Sequence, residues 1–339
     1  MTGSTANAPP IASKVEFLCH AGAYPEGTRR VQVVETHMSW LFLTDAWAYK
    51  LKKPVRYAFL DFSTLEARHR DALEEIRLNR RLAREVYQGT VPLTVSNGHM
   101  RLGGGGRIID WLVKMRRLPA RRMLDNLIRE HAVDMSLVRR LAELLVGFYR
   151  DAPKAPLTGP AYRERMVQNV RANRDELLRP AYRLDAALVR QVSDAQRALL
   201  EDRPPLFEAR AQQGRLVEGH GDLRPEHIFL DTHPVVIDCL AFNRAFRELD
   251  PVDELSFLAM ECDWMAAGPV GAEVLDVYFR DSGDPRDDRL IAFYKCYRAC
   301  LRTKIALWHT RDGAVHDHGQ WLNRAGEYLA LAQTYVRAL

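Results

Sequence analysis

Residues 220–238 read His-Gly-Asp-Leu-Arg-Pro-Glu-His-Ile-Phe-Leu-Asp-Thr-His-Pro-Val-Val-Ile-Asp, and this order narrows what the chain can fold into more than any other stretch. Ile228-Phe229-Leu230 and Val235-Val236-Ile237 are short apolar runs bounded by turn residues, which predicts a β-hairpin. A hairpin of that length returns its ends to one edge. Asp222 stands just before the first strand and Asp238 at the end of the second, so both carboxylates are expected at that edge. Two acids on a rigid hairpin edge suit phosphoryl transfer. One orients an attacking hydroxyl and the other holds Mg²⁺ on the phosphates of a nucleotide.

The spacing sharpens this expectation. Protein kinases place a catalytic-loop Asp five residues before a metal-binding Asn, with a second metal-binding Asp on the next strand. Here Asp222 is followed at that spacing by His227, and then by Asp238. The segment resembles the aminoglycoside phosphotransferase and choline-kinase-like branch of the protein-kinase-like superfamily. That branch reads His-Gly-Asp-Leu-His-x-x-Asn-Ile and then Ile-Asp-Phe or Ile-Asp-Trp; this chain reads His-Gly-Asp-Leu-Arg-Pro-Glu-His-Ile and Ile-Asp-Cys. His227 stands where the family has Asn. The stretch Lys52 to Leu65, with Lys-Lys-Pro and then Phe-Leu-Asp-Phe-Ser-Thr-Leu, is similar to an uncharacterised bacterial branch of those phosphotransferases.

The resemblance implies an α+β, two-lobed protein-kinase-like fold. Residues 1–13 read as a disordered tail rich in Pro, Ala, Ser and Thr. Residues 14–117 would form a small mixed N-lobe with a nucleotide-binding sheet and a Glu-bearing helix, and 118–339 a mostly helical C-lobe carrying the hairpin. At 339 residues and 47% hydrophobic, the chain is long enough for one or two buried cores. It contains no apolar run of about 18 residues, the length needed to span a bilayer. Five cysteines without a CxxC pair argue for reduced thiols and a cytoplasmic setting, with Cys296 and Cys300 as core thiols on a helix. A net charge of +5 with arginine scattered through the helices gives no concentrated nucleic-acid footprint. It suits an anionic nucleotide weakly.

In chain order, Arg30–Val34 and Trp40–Leu43 read as strands around a polar turn, where a kinase places its Gly-rich phosphate lid. No Gly-x-Gly-x-x-Gly occurs; Thr36, Ser39 and the local amides could cradle phosphate, or the turn is an ordinary polar hairpin. Gly103–Gly106 has no helix opening after it and reads as a hairpin turn. Ala48-Tyr49-Lys50 looks like the Ala-x-Lys of the third kinase strand. Alternation puts Lys50 and Lys52 on one face, with Lys50 the choice for the phosphates and Lys52 the fallback. Leu65–Val86 reads as a helix capped at Ser63 or Thr64, in which Glu75 would face Lys50; Glu74 is the neighbour a small register error would select.

Strands follow at Val91–Val95, Met100–Leu102 and Arg107–Met115. Trp111 to Pro119 looks like the hinge, its backbone at about Met115 to Arg117 meeting the adenine edge. Helices are expected at Ala120–His131, Ser136–Arg150, Tyr162–Leu178 and Asp185–Asp202, and, beyond the hairpin, at Leu255–Met265, Val270–Arg280, Arg289–Trp308 and Trp321–Leu339. His309, His316 and His318 surround a Gly-bearing loop, but without a fixed pairing such histidines are more often surface residues than metal ligands.

The roles implied are specific. Asp222 accepts a hydrogen bond from the substrate hydroxyl and takes its proton late in transfer; Asp238 binds Mg²⁺ on ATP. His220 braces the loop with its ring, and Arg224 is open to a phosphate, an acidic substrate or solvent. His227 would be a poor second Mg²⁺ ligand, because imidazole suits softer metals. It leaves one-metal catalysis through Asp238, a site for Mn²⁺ or Zn²⁺, or binding without turnover. Leu249-Asp250-Pro251-Val252-Asp253-Glu254-Leu255 resembles the family's Asp-Pro-x-x-Asp-Leu element, with Glu254 where the acid before Leu is expected and Asp250 or Asp253 as cap. The sequence therefore points to an ATP-dependent phosphotransferase acting on a small hydroxylated molecule. A nucleotide-binding pseudokinase with a regulatory or scaffolding role is the alternative. A protein kinase is disfavoured, because no Ala-Pro-Glu element follows Asp238.

Overall fold

The structure, a computed structural model, describes residues 9–57, 60–311 and 318–339. Contacts divide the chain into two compact units, one of Met1–Ala120 with Val236–Arg244, the other of Arg121–Val235 with Ala245–Leu339.

The first unit opens with α1 (Ile11–Cys19), so the segment read as a tail is helical from Ile11 onward. Ile11, Val15 and Leu18 recur at helical spacing and pack on the unit's core, a stabilisation that outweighs the polar composition of the neighbouring residues. The sheet follows: β1 (Gln32–Glu35), β2 (Ser39–Leu43), β3 (Trp47–Lys52), a small paired β4 (Arg56–Tyr57) and β5 (Leu60–Asp61), helix α2 (Leu65–Asn79), then β6 (Tyr87–Ser96), β7 (His99–Leu102) and β8 (Arg107–Arg116). The six-stranded sheet runs β1-β2-β3-β8-β6-β7, antiparallel throughout. Period-two alternation sends Phe42, Tyr49, Leu51, Leu93 and Leu112 into one core with Leu18 of α1. The opposite face of β3 turns Lys50 and Lys52 toward α2. Asp110 on β8 holds both helices, accepting from Lys14 of α1 at 2.7 Å and from Arg68 of α2 at 2.9 Å.

Two further expectations are corrected in this unit. Thr64 caps α2, its hydroxyl accepting from the Ala67 amide at 3.1 Å, but the helix stops at Asn79, short of Val86. The Arg80 guanidinium bonds the carbonyls of Tyr87 and Gln88, and the chain turns there to enter β6. Gly103–Gly106 joins β7 to β8 without pairing them, because β6 lies between those two strands. Gly106 is required there: its φ is +134° and a Cβ would stand 2.8 Å from the Val95 carbonyl oxygen. The backbone N–H groups of Arg116 and Arg117 donate to the carbonyls of Val86 and Ala46, where β8 leaves the sheet.

The second unit is built of helices: α3 (Leu124–Arg129), α4 (Met135–Asp151), α5 (Gly159–Leu177), α6 (Ala186–Asp202), α7 (Pro204–Gln212), and, after the hairpin region, α8 (Pro251–Trp264), α9 (Gly268–Ser282), α10 (Asp288–His309) and α11 (His318–Val336). Strand β9 (Val217–Glu218) precedes the His-Gly-Asp loop. Strands β10 (Ile228–Phe229) and β11 (Val235–Val236) pair as the expected hairpin, and β12 (Glu248–Leu249) pairs back to β9. Phe257, Met260, Cys296, Cys300, Tyr328 and Leu329 meet in the core of α8, α10 and α11, which places both helical cysteines inside. His309 stacks on Trp321, while His316 lies outside the described residues. No helix among the described residues is long and apolar enough to cross a membrane.

Candidate active site

The candidate residues fall on both units, and each set is built by its own scaffold. In the first unit, Lys50 Nζ lies 3.0 Å from Glu75 Oε1 and 2.7 Å from Asp238 Oδ1. The expected order of strand lysine and helix glutamate is therefore a contact, and Glu74 is instead paired on the surface with Arg77. Lys52 takes the other oxygen of Glu75 at 2.6 Å and also pairs with Asp71, one turn earlier on α2. Burial disfavours the Lys50 ammonium, but Asp238 and Glu75 more than offset it and hold its pKa well above the ordinary lysine value. Burial likewise pushes Glu75 up, and Lys50 and Lys52 together bring it below the usual carboxylate range.

The segment around Asp238 is pinned to the end of α2 and the start of β6. The Asp238 N–H donates to the Tyr87 hydroxyl at 3.1 Å, and the Cys239 N–H donates to Asn79 Oδ1 at 2.9 Å. Asn79 in turn donates to the Glu75 carbonyl. Asp238 has φ +61°, a left-handed conformation that Asp tolerates better than most residues and that a functional position can hold when its surroundings fix it. Its side chain is 45% exposed, against 2% for Glu75 and 6% for Lys52. The Asp238 carboxylate is thus the open end of an otherwise buried cluster.

Thr36 and Ser39 form the β1–β2 turn. The Thr36 hydroxyl donates to the Ser39 carbonyl at 2.9 Å and accepts from the Ser39 N–H at 3.0 Å, the contacts of a polar hairpin. Met115 is a buried rung of β8 opposite Ala48. Arg117 donates to the Thr44 carbonyl at 2.7 Å.

In the second unit the loop before β10 is fixed from below by Glu254 of α8. The Glu254 carboxylate accepts from the His220 and Gly221 N–H groups and from the Tyr149 hydroxyl. A side chain at Gly219 would place its Cβ 2.7 Å from Glu254 Oε2, so the glycine is what lets the acid approach. Asp250 caps α8, accepting from Val252 at 2.9 Å, and so sets the turn that carries Glu254. His220 accepts the Asp222 N–H on Nδ1 at 3.3 Å, the ring-to-backbone brace expected of it.

Asp222 lies against Arg224, whose Nε is 2.9 Å from Oδ1. Burial raises the Asp222 pKa, but Arg224 first, then His227 and Arg302, more than offset it and leave the carboxyl below its usual range. Arg224 also pairs with Glu226 at 2.5 Å, and Arg302 of α10 with Glu261 of α8 at 2.7 Å. The buried ring of His227 spans the same loop: Nδ1 is 2.8 Å from the Asp222 carbonyl and Nε2 is 3.3 Å from an Arg224 nitrogen. Since a carbonyl can only accept, the ring donates from Nδ1 to the Asp222 carbonyl.

Several participants were not anticipated. Asp71 and Asn79 sit four residues either side of Glu75, so the three form a polar stripe on one face of α2. A polar stripe on the inward face of an amphipathic helix was the available signal. Among the described residues no group of three or more His, Cys, Asp or Glu side chains could hold a metal by itself.

A family model described as a phosphotransferase enzyme family matches residues 35–293. Uncharacterised proteins of Mycobacterium tuberculosis and Mycobacterium bovis are 31% identical over 279 residues, covering 81% of this chain and 54% of theirs. The chain thus spans about half the length of the curated relatives it matches. Among solved structures, a choline/ethanolamine kinase family protein from Mesorhizobium loti superposes with a TM-score of 0.56 at 15% identity, over 96% of this chain and 98% of that one. A thermostable mutant of an aminoglycoside phosphotransferase, in ternary complex with AMP-PNP and hygromycin B, superposes with a TM-score of 0.54 at 14% identity, over 96% and 98%. At such identities the likeness is one of fold, and it gives the chain the expected α+β kinase-like fold.

Proposed function

The chain belongs to the phosphotransferase enzyme family, and from that premise we propose that it transfers the terminal phosphoryl group of ATP, with Mg²⁺, to a hydroxyl of a small molecule. One observation carries the reading: Lys50 is held between Glu75 and Asp238 at 3.0 and 2.7 Å. A lysine fixed by a helix acid and resting on a second, open acid is placed to contact phosphates while that acid takes their ion. Asp238 suits Mg²⁺ as a hard oxygen donor. With one such donor on hand, the ion would draw its remaining ligands from phosphate and water, as Mg²⁺ commonly does. Bound there, the ion neutralises charge on the phosphates. Asp222 accepts the hydrogen bond of the acceptor hydroxyl, and Glu254 and His220 keep its loop in place.

Calorimetric titration of ATP with and without Mg²⁺ tests this. We expect metal-dependent binding by the wild type that Asp238→Ala removes. No binding under any condition would end the proposal.

A second reading, a nucleotide-binding pseudokinase, is favoured by the Arg224–Asp222 ion pair, which occupies the carboxylate that must meet the hydroxyl. His227 bears on metal use. Its two ring nitrogens face the Asp222 carbonyl and Arg224, the contacts of a loop brace, which supports one-metal use through Asp238. His227→Asn should therefore leave the Mg²⁺ dependence of nucleotide binding unchanged. A steeper metal dependence in the variant, seen by titrating Mg²⁺ at fixed ATP, would show that the position governs a second ion.

A further inference from the structure

We propose that Lys52 and Asp71 are positioning residues that hold Glu75, and through it fix Lys50 for the phosphates; the inference rests on the phosphotransferase reading above. A single lysine shared between Glu75 and Asp238 would be pulled between two acids, and its ammonium would follow whichever turned toward it. Here Glu75 has no freedom to turn. Its Oε1 faces Lys50 at 3.0 Å and its Oε2 faces Lys52 at 2.6 Å, so each carboxylate oxygen has its own cation. Lys52 is fixed in turn by Asp71 and lies 5.2 Å from the centre of the Phe62 ring. The Lys52 side chain is 6% exposed and that of Asp71 10%.

Burial rules out the bland reading of Lys52 as a solvated strand-end lysine, and its contacts rule against a direct phosphate role. Both of its acids lie on α2, four residues apart, whereas Lys50 also reaches Asp238. The cluster holds Lys50 and Lys52 against Glu75, Asp71 and Asp238. When the Asp238 carboxylate turns to an ion, two lysines face two helix acids, and Lys50 is left with one oxygen of Glu75 and donors to spare for phosphate. Without Lys52, Glu75 would claim Lys50 with both oxygens. Without Asp71, Lys52 would compete with Lys50 for Glu75. Asp71 therefore acts only through Lys52.

The test is a double-mutant cycle on the full chain, Lys52→Met, Asp71→Asn and both, reading the affinities of Mg²⁺–ATP and of adenosine by calorimetry beside thermal melting. Lys52→Met should weaken Mg²⁺–ATP by about tenfold, the scale of a charged hydrogen bond, and Asp71→Asn by less. The double variant should be no weaker than Lys52→Met alone. Adenosine, which has no phosphate, should bind all four proteins alike; a merely structural role would weaken both ligands together. Should Lys52→Met fail to fold, Asp71→Asn, a near-isosteric change, carries the same comparison. A folded Lys52→Met or Asp71→Asn that binds Mg²⁺–ATP as the wild type does overturns the inference. So does a cycle in which the two losses multiply. Failure of the wild type to bind Mg²⁺–ATP would instead overturn the phosphotransferase reading and this inference with it.

Discussion

Asp222→Asn is expected to lower phosphoryl transfer by about 10²- to 10⁴-fold while leaving nucleotide affinity nearly unchanged. Asn keeps the shape and can still meet a hydroxyl, but it cannot take the proton. The backbone of the loop does not depend on the carboxylate, since Glu254 holds the His220 and Gly221 amides and His220 holds the amide of residue 222. The loss should therefore fall on turnover. Its pH dependence follows from the charges around it. Burial raises the Asp222 pKa, and Arg224, His227 and Arg302 more than cancel this, so the carboxyl is ionised throughout the neutral range. The acid limb of turnover should lie below the usual carboxylate range in the wild type. Arg224→Ala removes the nearest cation and leaves burial opposed by fewer and weaker charges, so the limb should move to higher pH. Release of ADP followed against pH, with each variant's melting checked, decides the matter. Turnover by Asp222→Asn at the wild-type rate would remove Asp222 from the chemistry and leave the chain a binder or a different kind of enzyme.

How much of this was legible depended on whether a feature is local. The His-Gly-Asp loop, the hairpin and the Asp250 cap are short-range patterns, and the folded chain shows each. The Lys50–Glu75 contact was legible because strand and helix come in a fixed order and alternation fixes the face. Sheet order was not. Nothing in residues 87–116 says that β6 inserts between β7 and β8, because that pairing repays a distant loop closure and leaves no local mark. The end of α2 is not legible because Arg80, Leu82 and Ala83 are good helix formers. The need to turn into β6, with Arg80 bonding the carbonyls of that strand, overrides their propensity. The start of α1 was hidden by the composition of its neighbours, although Ile11, Val15 and Leu18 carry the period. Within the candidate site, Asp71 and Asn79 leave no local mark, because a polar residue on a helix is usually solvated and only the low exposure of both shows otherwise.

The largest stability effect is expected at Arg210. Its guanidinium lies on α7, 2.6 Å from Asp250 and 2.6 Å from Asp284, and all three side chains are buried. Tyr294 donates to Asp250 at 3.0 Å and Tyr278 to Asp284 at 2.9 Å, so the acids keep some partners when the arginine is lost, but the other cation at Asp284, Arg215, stands farther off at 3.8 Å. Arg210→Met should cost about 3–5 kcal/mol, the range for stranding the partners of a buried ion pair. Arg210→Lys, which keeps one charge and loses the planar fork, should cost less. The sign of the pH effect can be worked out. Burial raises the Asp284 pKa and Arg210 more than offsets it, so in the wild type this group contributes stability above its unfolded pKa and loses it as pH falls through the folded value. In Arg210→Met burial is opposed only by the Tyr278 hydroxyl and the more distant Arg215, Asp284 takes up a proton more readily when folded, and the gap between variant and wild type should narrow as pH falls. Urea unfolding at neutral pH and at about pH 5 reads both effects. A cost below about 1 kcal/mol at neutral pH would mean that water or relaxation reaches these acids. The consequence for function follows from chain order. Asp250 caps the helix whose first turn carries Glu254, and Glu254 holds the amides of the Asp222 loop. Loosening Arg210 should therefore lower turnover before the unit unfolds, which ties the buried ion pair to the candidate site through three successive hydrogen-bonded residues.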